Sequence, residues 1–160
     1  MAESRVPHEN KADRQSFRIT NYPMHYFAAI QRKNYANMAR ALNSLGISPL
    51  EWRILAILGE RGDQSINEIC ALAVTDRSKV SRIVNMMVAE NLVARSSSNT
   101  DRRSAALNLS PQGRIKLDEA LARAQYVYAR NLENISDQEQ EILMSILRRI
   151  KDNVFRTEAY

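Results

Sequence analysis

Apolar residues recur at spacings of three and four along most of the chain, and nearly every such run begins at a helix-opening signal. Pro23 heads a run that carries Met24, Ala28, Tyr35, Met38, Leu42 and Leu45 on one stripe. This predicts a helix to about Ser44, closed by Gly46 in the left-handed conformation. Ser48-Pro49-Leu50-Glu51 combines a serine cap, a proline at the first helical position and a reciprocating glutamate, and it opens a second helix. Ser65-Ile66-Asn67-Glu68 and Ser136-Asp137-Gln138-Glu139 repeat the capping box, and Ser110-Pro111 opens a helix without the glutamate. Thr75 or Asp76 caps a helix starting near Arg77. Only Leu92–Arg95 and Ala105–Leu109 read as strand, two arms of a hairpin around a polar tip, Ser96 to Arg103. The predicted order is tail, four helices, hairpin, two helices. The fold class is mainly α with a small β-hairpin wing: a winged helix-turn-helix over residues 47–110, with dimerisation helices over 17–46 and 111–160. Residues 1–16 show no periodicity and are expected to form a mobile polar tail.

Composition narrows the classes. Of 160 residues, 44% are hydrophobic and 26% charged, the balance of a globular domain rather than a disordered chain. The longest apolar run, Ile69–Val74, is far short of the roughly 20 residues needed to cross a membrane. No secretory segment follows Met1, so a soluble cytoplasmic protein without a membrane partner is expected. One cysteine excludes an intrachain disulfide framework and a Cys-rich zinc site, and neither a metal nor a cofactor is expected. Catalysis needs a clustered acid, base or nucleophile. His8 lies in the tail, His25 has no evident partner, and four glycines supply no phosphate loop. An enzyme is the unfavoured alternative.

Charge distribution adds a direction. The net charge is +5 and the sequence pI about 9.6. Between Arg77 and Arg103 six basic residues face two acids, whereas Glu133 to Glu141 holds four acids and no base. The helix from Arg77 puts Val80, Ile83, Val84 and Met87 on one face and Ser78, Ser81, Arg82 and Asn85 on the other. An ordinary solvated face would share that amphipathicity. The combination here is more particular: short hydroxyls for close approach, Arg82 and Asn85 to read base edges, Arg77 and Lys79 for phosphates, and no acid before Glu90. The hairpin tip carries Asp101, Arg102 and Arg103, placed to reach a minor groove, with Asp101 able to hold Arg103 in one rotamer.

At these residues a resemblance emerges. Leu50-Glu51-Trp52-Arg53-Ile54-Leu55, the helix-turn-helix Ile69–Met87, the wing Asp101-Arg102-Arg103 and Leu109-Ser110-Pro111-Gln112-Gly113-Arg114 resemble the MarR family of bacterial regulators over roughly residues 22–155. The resemblance implies a homodimeric winged-helix regulator of a pseudo-palindromic double-stranded DNA operator, usually a repressor released by a small phenolic or aromatic effector. The family's wing aspartate and arginine fall on Asp101 and Arg103. Asn91 stands where the family commonly has glycine, and asparagine tolerates the same left-handed turn.

Two sites stay open at this point. Gln31 lies inside the apolar stripe of the first helix, where it suits a backbone cap or a dimer crevice, or else a pocket for a mostly apolar ligand. His25, Tyr35, Trp52 and Arg53 are further ligand candidates, and Arg53 could instead pair with Glu51, Glu60 or a phosphate. Cys70 fits either a packed position beside Ile66 and Ala73 or, as an alternative regulator reading, a redox-sensing thiol. The last helix carries Leu143, Leu147, Ile150 and Val154, and the helix before it Leu117, Leu121, Ala124, Tyr128 and Leu132. With Phe17, Ile19, Tyr22, Tyr26 and Phe27 these stripes predict packing against a second copy of the chain.

Overall fold

The structure, a computed structural model, describes residues 18–96 and 106–156. The tail over 1–16, Phe17 and the hairpin tip therefore lie outside the described residues. After a short 3-10 turn, Ile19–Asn21, come α1 (Pro23–Leu42), α2 (Pro49–Arg61), α3 (Ile66–Ala73), α4 (Arg77–Ala89), β1 (Val93–Ser96), β2 (Ala106–Leu109), α5 (Pro111–Asn131) and α6 (Asp137–Arg156). The fold is mainly α with one antiparallel hairpin, a winged helix-turn-helix with further helices on either side.

Local chemistry starts and stops these elements. In α2 the Ser48 N–H donates to Glu51 Oε2 at 2.7 Å, and the Glu51 N–H returns to Ser48 Oγ at 3.3 Å. The same reciprocal pair, at the same distances, joins Ser65 and Glu68 at the head of α3. Each box satisfies N–H groups that the first helical turn leaves orphaned, and for α2 it satisfies a carboxylate that is itself buried. After α1 a 3-10 turn, Asn43–Leu45, tightens the end, and Gly46 closes it at φ 70°. Asn91 adopts φ 55° directly after α4, the left-handed turn its amide side chain tolerates.

Two compact units are present, one through Ala124 and one from Gln125. The first is built on a core in which Leu42, Ile54, Leu55, Ile69, Val84 and Met87 are fully buried. The hairpin is in register Val93↔Leu109 to Ser96↔Ala106, and Gln64, just before α3, adds a bridge to Leu107 through N–H···O contacts of 2.9 and 2.8 Å. The sequence pattern contained no sign of that isolated bridge. The start of α5 is locked to the base of the hairpin. The Ser110 N–H donates to the Leu92 carbonyl at 3.2 Å, the Ser110 hydroxyl to the Asn91 carbonyl, and the Gly113 N–H to Ser110 Oγ at 2.9 Å. A Cβ on Gly113 would stand 1.9 Å from the Leu92 oxygen, so glycine is the residue that lets helix and hairpin touch backbone to backbone.

The stripes expected on α1, α5 and α6 are covered only in part within the chain. In α5 the inward positions are Leu117, Ala120, Ala124 and Val127, while Leu121 and Tyr128 are exposed. Ala120 and Val127 thus take the covered positions expected for Leu121 and Tyr128. In α1 only Leu42 is buried; Met24 and Met38 are half-buried, and Ala28 and Tyr35 are exposed. In the second unit, α6 starts at a third capping box, with the Ser136 N–H on Glu139 Oε2 at 2.8 Å, and the Tyr128 hydroxyl meets Gln140 at 3.2 Å. No residue of α6 is buried: Leu147 and Ile150 are half-buried, Leu143 and Val154 exposed. Among the described residues no helix is long and apolar enough to cross a membrane.

Candidate nucleic-acid interface

Helix α3 and helix α4 are set against α2 and against each other by their apolar sides. Ile69 and Ala73 from α3, and Val80, Val84 and Met87 from α4, are all fully buried. The tight connection between them takes an unusual form. Val74 ends α3 at φ 50° with three quarters of its surface exposed, a strained conformation for a β-branched residue. Around it, the Ala73 carbonyl accepts from Arg53 Nη1 at 2.8 Å and from the Thr75 hydroxyl at 3.0 Å. A guanidinium from α2 thus satisfies the end of α3 and holds the turn. This corrects the expectation for Arg53: its bond is to a backbone carbonyl, not to Glu51 or Glu60.

Asp76, rather than Thr75, caps α4. Its carboxylate accepts from the Lys79 N–H at 2.8 Å and from the Ser78 hydroxyl at 2.7 Å. The bond from Ser78, then that from Lys79, holds its pKa below the ordinary value of 3.8. The one acid at the head of α4 is therefore tied into the helix start. Beyond it, Arg77, Ser78, Lys79, Arg82 and Asn85 are exposed and Ser81 is half-buried. Ser78, Arg82 and Asn85 lie on the side of α4 away from its buried valines and methionine, and Arg77 and Lys79 are exposed in its first turn.

Two further residues join this face. The Arg77 guanidinium donates to the Asn67 side-chain oxygen of α3, and Arg95 Nη2 donates to Asn85 Oδ1 at 2.5 Å. Arg95 stands on β1, so the hairpin and α4 meet side chain to side chain on the wet surface. The sequence offered a clue to Arg95 alone, the one basic residue in the first hairpin arm, three positions beyond a short turn. Nothing in the pattern singled out Asn67. Met86, 44% exposed, adds an apolar patch to the face. Asp101, Arg102 and Arg103 lie outside the described residues; the paired base of the hairpin that leads to them is described.

The ligand candidates are not drawn into an enclosed site. His25, Gln31, Tyr35 and Arg53 are exposed, His25 with its ring edge-on to Tyr26 at 5.6 Å, and Trp52 is half-buried against the core. Cys70 is also half-buried, packed on the core rather than sealed within it.

A helix-turn-helix that presents an arginine- and amide-bearing helix beside a two-stranded hairpin is a winged-helix DNA-binding protein of the transcription-regulator class. Residues 45–104 match the MarR family. The chain is 25% identical over 138 residues to the HTH-type transcriptional repressor IacR of Pseudomonas putida, covering 86% of this chain and 83% of that one. It superposes with a TM-score of 0.79 on a MarR family transcriptional regulator from Silicibacter pomeroyi, at 25% identity, over 94% of this chain and all of that one. The same fold is found in BpsR of Bordetella bronchiseptica, whose DNA binding is regulated by 6-hydroxynicotinic acid; there the TM-score is 0.72 and the identity 19%, over 81% and 98% of the two chains. In sequence over residues 45–104 and in fold over most of its length, the chain is similar to the MarR family of DNA-binding transcriptional regulators.

Proposed function

We propose that the protein is a homodimeric, non-catalytic repressor that holds a pseudo-palindromic operator through two copies of α4 and leaves it when a small aromatic effector binds. The outer face of α4 carries this reading: exposed Arg77, Lys79, Arg82 and Asn85, with the single nearby acid consumed as a helix cap. Arg82 and Asn85 read base edges, Ser78 and Ser81 permit close approach, and Arg77 and Lys79 meet phosphates. In this reading Asp101, Arg102 and Arg103 serve the adjacent minor groove. The repressor role is supported by the name of the Pseudomonas putida relative.

Pairing of two chains uses residues 17–46 and 111–160, where α1 leaves Tyr26 and Ile30 exposed and α6 leaves Ile142, Leu143 and Ile146 exposed. A two-fold axis then sets two α4 helices about one DNA turn apart. The effector, an aromatic acid, a phenol or an aromatic acyl thioester, binds between α1 and α2 near His25, Gln31, Tyr35, Trp52 and Arg53, and favours a dimer whose helix spacing no longer fits DNA. A hundredfold preference between the two arrangements is worth about 2.7 kcal/mol, and by linkage the operator weakens effector binding by the same factor. Trp52 fluorescence reports that binding directly.

The test starts by selecting duplexes from a random-sequence pool. Arg82→Ala should weaken the selected sequence by roughly 1–3 kcal/mol while sparing random DNA. Lys79→Ala should weaken both alike and lower the salt slope by about one unit. Equal losses on both kinds of DNA for both variants would overturn the assignment of α4.

A further inference from the structure

We propose that Arg95 sets the base preference of Asn85 by occupying its carbonyl oxygen, so that Asn85 reads a guanine-type edge rather than adenine. This rests on the reading of α4 as the base-reading helix. An asparagine amide is ambiguous by itself: its Oδ1 accepts, its Nδ2 donates twice, and rotation by half a turn exchanges the two. Adenine uses both functions, its N6 amino group donating to Oδ1 and its N7 accepting from Nδ2. Guanine presents O6 and N7, two acceptors and no donor, in the major groove.

The neighbour on β1 removes the ambiguity. A guanidinium has only donors, so the atom that meets Arg95 Nη2 at 2.5 Å can only be the oxygen. The bond is short, charge-assisted and made between two exposed residues ten positions apart, on α4 and β1. It turns Oδ1 toward the hairpin and leaves the Nδ2 donors facing away from it. Among the described residues no carboxylate competes for Arg95, since the ion pairs are Arg61–Glu60, Lys116–Glu119 and Arg130–Glu133. An amide held in this way offers donors to an acceptor-only edge. Binding adenine would require it to break the bond to Arg95 or share its oxygen. Arg95 is thus a positioning residue: it acts on sequence choice through Asn85.

The experiment compares the wild type with Asn85→Ala, Arg95→Ala and Arg95→Lys on duplexes selected from the random pool. Asn85→Ala first identifies the base position whose preference it abolishes. Fluorescence anisotropy then gives the affinity of each protein for the four base pairs at that position. The expected result is a guanine preference in the wild type. In Arg95→Ala the guanine-to-adenine affinity ratio should fall by roughly tenfold, and in Arg95→Lys a donor is restored and the ratio recovers at least in part. A wild-type preference for adenine there would overturn the proposal. So would an Arg95→Ala variant that loses affinity for all four duplexes in equal proportion, the behaviour of a phosphate contact. Asn85→Ala retaining every base preference would overturn it as well. A wild-type chain that enriches no sequence from the pool would instead overturn the regulator reading itself. Both arginine variants alter an exposed side chain, and an unchanged thermal unfolding curve separates a change in reading from loss of fold.

Discussion

The two compact units treat their apolar residues in opposite ways. In the N-terminal unit α4 is only moderately amphipathic, yet Val80, Val84 and Met87 are fully covered by neighbouring helices and the hairpin. In the C-terminal unit α6 is the most strongly amphipathic helix of the chain, and none of its residues is buried. A clean apolar stripe therefore records that a helix face is meant to be covered; it does not record by what. For α3 and α4 the cover comes from the same chain. For α6 the described residues supply only part of it, and the proposed pairing with a second copy would provide the rest.

That contrast can be broken most severely at Gly113. Gly113→Val would drive a branched side chain into the Leu92 carbonyl, parting α5 from the base of the hairpin. The N-terminal unit should lose about 3 kcal/mol or more in urea unfolding, because backbone rather than a flexible side chain must give way. A loss below about 1 kcal/mol would mean that the contact between α5 and the hairpin is adjustable.

Leu147→Asp should act on the other side of the comparison. A carboxylate placed in the half-buried stripe of α6 should weaken self-association by several kcal/mol, seen as a shift from dimer to monomer in sedimentation. Denaturant unfolding of the N-terminal unit should change far less. A wild type that sediments as a monomer at micromolar concentration would remove this half of the contrast.

A smaller effect, of opposite sign, is expected in the turn between α3 and α4. Val74 is exposed and held at φ 50°, so Val74→Asn relieves backbone strain with little loss of packing. Stability should rise by about 1 kcal/mol in thermal unfolding. A fall in stability would show that the valine side chain has a role in the turn.

The smallest effect is acid sensitivity of the helix starts. Glu68 and Glu139 are held below their ordinary value of 4.5, Glu68 by the Ser65 N–H and then its hydroxyl, Glu139 by the Ser136 hydroxyl and then its N–H. Asp76 is held below 3.8 by Ser78 and Lys79. A lowered folded pKa means that the contribution is complete above the ordinary value and fades as pH falls through the folded one. Melting temperature should therefore hold steady from pH 6 to about pH 5 and drift down below 4.5. Asp76→Asn, which keeps a capping oxygen but cannot titrate, should show a shallower drift; an identical slope would mean that Asp76 contributes nothing to it.

Local features were legible along the chain because neighbours within four residues create them. Ser48 with Glu51 and Ser65 with Glu68 make their hydrogen bonds inside one turn, and Gly46, by lacking a Cβ, and Asn91, by its short amide side chain, declare left-handed turns. The outer face of α4 was equally readable, since a period of 3.6 separates Arg82 and Asn85 from Val80 and Val84 whatever lies beyond. Other choices needed the tertiary structure. In α5 two overlapping stripes were available, and close packing admitted Ala120 and Val127 in place of Leu121 and Tyr128. Arg53 on the Ala73 carbonyl, Gln64 against Leu107, Gly113 beneath Leu92 and Arg95 on Asn85 join residues 10 to 43 positions apart. A local pattern cannot encode which donor reaches which acceptor across such separations. The packing of α2, α3, α4 and the hairpin around one core decides it, because only that packing brings the partners within hydrogen-bond range.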